Sequence, residues 1–113
     1  MTQLLTMKLN RTTGLGTLTL GQQTLRCGGK PGFDYPADTT INASDRKGTV
    51  KSREYDATMP YAVLWIGQRG VYFHEWPNLE ASSGCIHLLP GDAQTFYEQW
   101  ITRKTRIVFS WTN

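Results

Sequence analysis

The sequence is poor in cysteine: only Cys27 and Cys85 occur in 113 residues, too few for a disulfide scaffold. A single bridge between them fits the count, and it would silence both thiols. No apolar run approaches the ~18 residues that a membrane-spanning helix needs, so no membrane insertion is expected. The first residues, Met1 to Lys8, have neither a basic start before an apolar stretch nor a small-residue cleavage site. Export by the general route is therefore not expected, and the chain is read as made in the cytoplasm. Charge of one sign is also lacking, since twelve Lys and Arg face nine Asp and Glu, a net +3. The basic residues are scattered without a run or a helical stripe, so they read as solvated surface and not as a nucleic-acid face. Repeats and low-complexity tracts are missing as well.

What is present suits one domain spanning 1–113. Four Trp, five Tyr and four Phe supply much of a small core, and eleven Gly with five Pro predict many turns between short elements. Met7-Lys8-Leu9-Asn10, Thr17-Leu18-Thr19-Leu20 and Thr24-Leu25-Arg26-Cys27 read as strands separated by glycine turns. From Phe33 to Pro60 regularity is lost, with at most a short strand near Thr40–Asn42. Such a stretch reads as a binding loop or lid, which places Arg53 and Tyr55 as candidates for substrate contact. Tyr61 to Ile66 is almost unbroken apolar sequence, hence a buried strand with Trp65 in the core. Gly67-Gln68-Arg69-Gly70 turns it into a partner strand, Val71-Tyr72-Phe73-His74. Asp92 is expected to cap one helix bearing Phe96, Tyr97, Trp100 and Ile101, and Arg106 to Trp111 closes as a strand. The expected class is mostly β, a β-rich α+β fold with one C-terminal helix before the last strand.

Chemistry concentrates in Ser82-Ser83-Gly84-Cys85-Ile86-His87-Leu88. Cysteine reacts as its thiolate, and a histidine held against it both lowers its pKa and stores the proton for a leaving group. Gly84 permits a tight turn from which the Gly84 and Cys85 amides can converge on an oxyanion. Two histidines compete as partner. His74 ends the preceding strand, whereas His87 shares a face with Cys85 if the segment is extended. The cysteine as a buried hydrophobe, and the histidine as a core-edge residue, are the plainer alternatives. His74, Glu75, Cys85 and His87 fit no zinc spacing, so neither metal nor other cofactor is expected. Tyr61 and Trp76 complete the candidate groove.

These residues in this order resemble the L,D-transpeptidase (YkuD) family: a histidine at a strand end, a loop, a Gly-Cys-Ile motif, a helix near Asp92-Ala93 and a final strand. Met59-Pro60-Tyr61 also resembles a segment that often precedes the family's histidine strand. The resemblance implies an L,D-transpeptidase-like β-sandwich. It also implies Cys85 as nucleophile, His74 as general base, a Gly84 oxyanion amide, and peptidoglycan tetrapeptide stems as substrate. Ser83 stands where the family motif has histidine, His87 where it has arginine, and Glu75 where glycine follows the strand histidine. Ser83 and His87 are accordingly expected in supporting roles. The reduced motif is similar to that of small type VI secretion toxins of this family. That implies action in a rival's periplasm, with a secretion-apparatus component and an immunity protein as partners. Two alternatives remain at this stage: a wall-binding module that has lost activity, and a cysteine amidase. The amidase order, cysteine ahead of histidine, is the reverse of the order found here.

Overall fold

The computed structural model describes residues 1–52 and 56–113, so the candidates Arg53 and Tyr55 lie outside the described residues. Among the described residues nine strands follow one another: β1 (Gln3–Asn10), β2 (Leu15–Leu20), β3 (Gln23–Gly28), β4 (Asp38–Ile41), β5 (Arg46–Lys51), β6 (Thr58–Ile66), β7 (Val71–Glu75), β8 (Ile86–Leu88) and β9 (Thr105–Thr112). Helix α1 (Asp92–Thr95) continues through a π-helical turn, Phe96–Trp100, between β8 and β9. Its N-cap is Gly91, at φ 90°, and Asp92 is the first helical residue instead of the cap. There its carboxylate still complements the helix N-terminal dipole.

All nine strands join one sheet in the order β4-β9-β1-β2-β3-β8-β7-β6-β5. Two pairings are parallel, β1 with β9 and β7 with β8. The sheet curls until its far ends meet, which makes the sandwich. Trp65 on β6, near one edge, donates its indole N–H to Thr39 Oγ1 on β4, the opposite edge, at 2.6 Å. Tyr35 stacks on the same indole with ring centroids 5.4 Å apart.

Alternation fills the interior. Leu5, Met7 and Leu9 of β1 are fully buried, and so are Phe73, Ile86, Leu88 and Ile107 from the strands around them. The helical segment lays Ala93, Phe96 and Trp100 on this core, with Phe96 against Phe73 at 4.9 Å between ring centroids. Cys27 is sealed in the same core, and burial pushes its thiol up to about 12. No disulfide joins it to Cys85. The stretch expected to be one irregular loop contains a whole strand, β5. Its charged and glycine-containing sequence, Arg-Lys-Gly-Thr-Val-Lys, pairs with β6 as the sheet edge, with register shifts on either side of Gly48. Lysines and bulges of this sort keep an exposed edge from pairing with other chains.

Candidate active site

The site grows out of the parallel pair β7–β8. Successive side chains on a strand point to opposite faces. Val71 and Phe73 of β7, with Ile86 and Leu88 of β8, take the core face. The alternate positions His74, Cys85 and His87 open instead onto a cavity of about 290 Å³. The register sets His74 directly opposite His87. The pairing runs on to Trp76, whose amide donates to the Leu88 carbonyl at 2.9 Å, so the indole is carried over the histidines. Ser52, Met59, Trp76, Ala81 and Ser83 complete the lining. A larger groove of about 570 Å³ over β1 and β2 is lined by Gln3, Leu4, Thr6, Thr19, Leu20 and Gly21, with no ionisable side chain among them.

The two imidazoles lie 5.3 Å apart between centroids, at 67°. Trp76 stacks on His87 at 5.3 Å and meets His74 edge-on at 5.5 Å. His74 Nδ1 is 2.8 Å from the Glu75 carbonyl. A carbonyl only accepts, so Nδ1 carries the proton and Nε2 presents its lone pair. Burial holds the His74 pKa below the usual 6.5, with the Glu75 bond opposing that shift. His87 is pushed down to about 4, first by burial and then by the nearby His74, although the Glu80 and Asn78 backbone partly offsets this. Both rings are therefore neutral at pH 7. His87 Nδ1 is buried without a hydrogen-bond partner among the described residues.

Cys85 is partly exposed. Its sulfur accepts from the Tyr72 N–H at 3.4 Å and its S–H faces the Gly70 carbonyl at 3.8 Å. The turn that presents Cys85 needs glycine at 84. Its φ is +149°, and a Cβ there would lie 3.0 Å from the Phe33 ring.

Two hydroxyls hold this turn, and sequence reasoning singled out neither. Ser82 Oγ accepts from the Gly84 N–H at 3.0 Å and donates to the Cys85 carbonyl. The Tyr35 hydroxyl accepts from the Lys30 N–H at 2.9 Å and donates to the Gly84 carbonyl at 2.6 Å. The Gly84 amide, expected to face an oxyanion, is thus engaged inside the turn by Ser82. Tyr61, expected in the groove, does not line the cavity. It sits at φ +53° and packs edge-on against Tyr97 at 5.7 Å. Trp76 and Ser83 do line it, and so does Ser52, the last described residue before Arg53. A Ser-x-Gly-Cys spacing could have flagged Ser82 as a turn-closing hydroxyl. Tyr35, 49 residues from Gly84, had no local signal.

Comparison with known proteins agrees with this architecture. Residues 10–108 match the YkuD family, described as the L,D-transpeptidase catalytic domain. No curated protein matches the chain. Among solved structures, an L,D-transpeptidase from Stackebrandtia nassauensis superposes with TM-score 0.71 at 18% identity, over 97% of this chain and 56% of that one. One from Mycobacterium smegmatis gives 0.65 at 22%, over 94% and 58%. L,D-transpeptidase 3 from Mycobacterium tuberculosis, in complex with a faropenem-derived adduct, gives 0.59 at 18%, over 94% and 60%. At such identities the likeness is one of fold, and the chain spans somewhat under two thirds of each. A family match across nearly the whole chain, on a curled sheet that carries the cysteine and histidine strands side by side, means that the chain belongs to the YkuD family of L,D-transpeptidase catalytic domains.

Proposed function

We infer that this protein is a cysteine acyltransferase acting on peptidoglycan stem peptides, with Cys85 as nucleophile and His74 as general base. One observation carries the reading: Cys85 and His74 line the same cavity, and the Glu75 carbonyl fixes His74 in the tautomer whose Nε2 can take a proton. The Cys85 S–H proton passes to Nε2, and the thiolate attacks the amide carbonyl that follows an L-centre in a tetrapeptide stem. A C–S bond forms, the C–N bond breaks, and the imidazolium returns its proton to the departing D-residue amine. In the second half His74 takes a proton from an acceptor that attacks the thioester carbonyl; the new bond forms, the C–S bond breaks, and the imidazolium returns the proton to the Cys85 sulfur. An amine acceptor gives a crosslink or D-amino-acid exchange, and water gives carboxypeptidase activity. A depressed His74 pKa suits this cycle, because the base is unprotonated at neutral pH. His87, kept neutral beside it, does not compete for the proton.

The test is incubation with disaccharide-tetrapeptides, with and without a D-amino acid, followed by mass spectrometry. Loss or exchange of the terminal D-residue, abolished by Cys85→Ala, is expected. Binding without turnover would overturn the enzymatic reading in favour of a wall-binding module, and a cut at the sugar–peptide amide would favour an amidase. The reduced motif supports a role as a toxin delivered by a type VI secretion machine into a rival's periplasm. On that reading, directing the chain to the periplasm of a host lyses the cells, while cytoplasmic expression is tolerated. Equal tolerance in both compartments would remove the toxin role.

A further inference from the structure

The Gly84 carbonyl and the Cys85 N–H are two ends of one peptide group. In a trans peptide they point in opposite directions, so whatever fixes the carbonyl also fixes the direction of the N–H. Tyr35 does this. Its hydroxyl reaches the Gly84 carbonyl at 2.6 Å and is itself held by the Lys30 N–H at 2.9 Å. The Tyr35 ring is immobilised, packed by Phe33 at 4.7 Å, Trp65 at 5.4 Å and Phe109 at 5.4 Å. The next peptide back, whose N–H belongs to Gly84, is already engaged by Ser82 Oγ. On the proposed mechanism the amide of the nucleophile itself is the Cys85 N–H, so the direction of this peptide bears on a developing oxyanion. Hydrogen bonds in a chain polarise one another, strengthening each by about 10–30%. The run Lys30 N–H to Tyr35 O–H to Gly84 carbonyl drains electron density from the far end of the Gly84–Cys85 peptide.

We propose that Tyr35 is a positioning residue for acyl transfer, aligning and polarising the Gly84–Cys85 peptide so that the Cys85 N–H supports the oxyanion. The inference rests on Cys85 being the nucleophile. It predicts a split that a merely structural role would not produce. Alkylation of Cys85 by iodoacetamide passes through no oxyanion. Acylation by the β-lactam imipenem does: the C–S bond forms, negative charge gathers on the lactam oxygen, and the ring C–N bond then breaks as its nitrogen takes up the proton released by the thiol. Tyr35→Phe keeps the ring and removes the hydroxyl.

Both rates are measured on the folded variant by intact-protein mass spectrometry. The acylation-to-alkylation ratio is expected to fall about ten-fold in Tyr35→Phe, less than the ~10²–10³ that follows outright loss of an oxyanion donor. An unchanged ratio overturns the proposal, including the case where both rates fall together. If Tyr35→Phe does not fold, 3-fluorotyrosine at position 35 takes its place, its more acidic hydroxyl being the stronger donor. A ratio above that of the parent supports the proposal, and a ratio equal or lower overturns it. A parent protein whose Cys85 takes up no acyl group at all overturns the nucleophile assignment, and this inference with it. Acylation of the parent with an unmoved ratio sinks the Tyr35 role alone.

Discussion

The two cysteines lie on one strand and just ahead of its neighbour in the same sheet, and they have opposite surroundings. Cys27 on β3 takes the core face, fully buried among apolar side chains, with its thiol pushed up to about 12. Cys85, in the turn just ahead of β8, takes the cavity face, partly exposed, with a backbone N–H on its sulfur and two imidazoles lining the same space. The face that each side chain takes separates a sealed thiol from a candidate nucleophile.

The sharpest way to break the comparison is differential labelling. With a pKa of about 12, roughly one Cys27 thiol in 10⁵ is ionised at pH 7, before its lack of access is counted. Iodoacetamide should modify Cys85 in the native protein and Cys27 only in denaturant, as peptide mass mapping would reveal. Native labelling of Cys27 at a comparable rate would erase the contrast.

Turnover comes next. Cys85→Ala should lower stem-peptide turnover by at least about 10³-fold, whereas Cys27→Ala should leave it within about two-fold while reducing stability by ~1–2 kcal/mol in urea denaturation. His74→Ala should reduce turnover by about 10²–10⁴-fold, the range for a lost general base. A larger loss in His87→Ala than in His74→Ala would reverse the assignment of the base.

The smallest effect is on stability against pH. Both histidines have folded-state pKa values below the unfolded 6.5, that of His87 near 4. Between pH 6.5 and 4 the unfolded chain binds more protons, so stability present above 6.5 is lost as the pH falls through that window. The His87 share should be about 1–2 kcal/mol, since its cavity edge remains screened by water. The urea midpoint should drop between pH 7 and 5, and His87→Gln should flatten the drop. A slope that survives in both His74→Gln and His87→Gln would assign it to other groups.

Much of this was legible in the sequence. The unbroken apolar run of β6, the glycine turn and the β7 alternation announced their hairpin, and Cys-Ile-His-Leu announced a strand with chemistry on one face. The order histidine strand, motif, helix and last strand was enough to bring His74 and Cys85 to one cavity. The charged edge β5 was hidden, because an edge strand with lysines and glycine has the composition of a loop. Tyr61 misled because it lies in an apolar run, where sequence cannot show a left-handed backbone turning its ring toward Tyr97. The Ser82 bonds are local and follow from spacing. The Tyr35 bond is long-range, made only when the β3–β4 connection folds over β8, and no pattern in the chain encodes it.

The parallel pairing of β1 with β9 matches Gln3 to Thr105 and Asn10 to Thr112, so the sheet next to its β4 edge is stitched across almost the whole chain. Closing a loop of that size costs entropy that no nearby contact repays, and folds dominated by such pairings form in milliseconds to seconds. The β6–β7 hairpin that supplies His74 needs only a local turn. Half of the proposed catalytic pair can therefore be in place long before the sheet behind it is complete, and a nascent chain halted ahead of β9 would carry His74 and Cys85 on an unfinished scaffold.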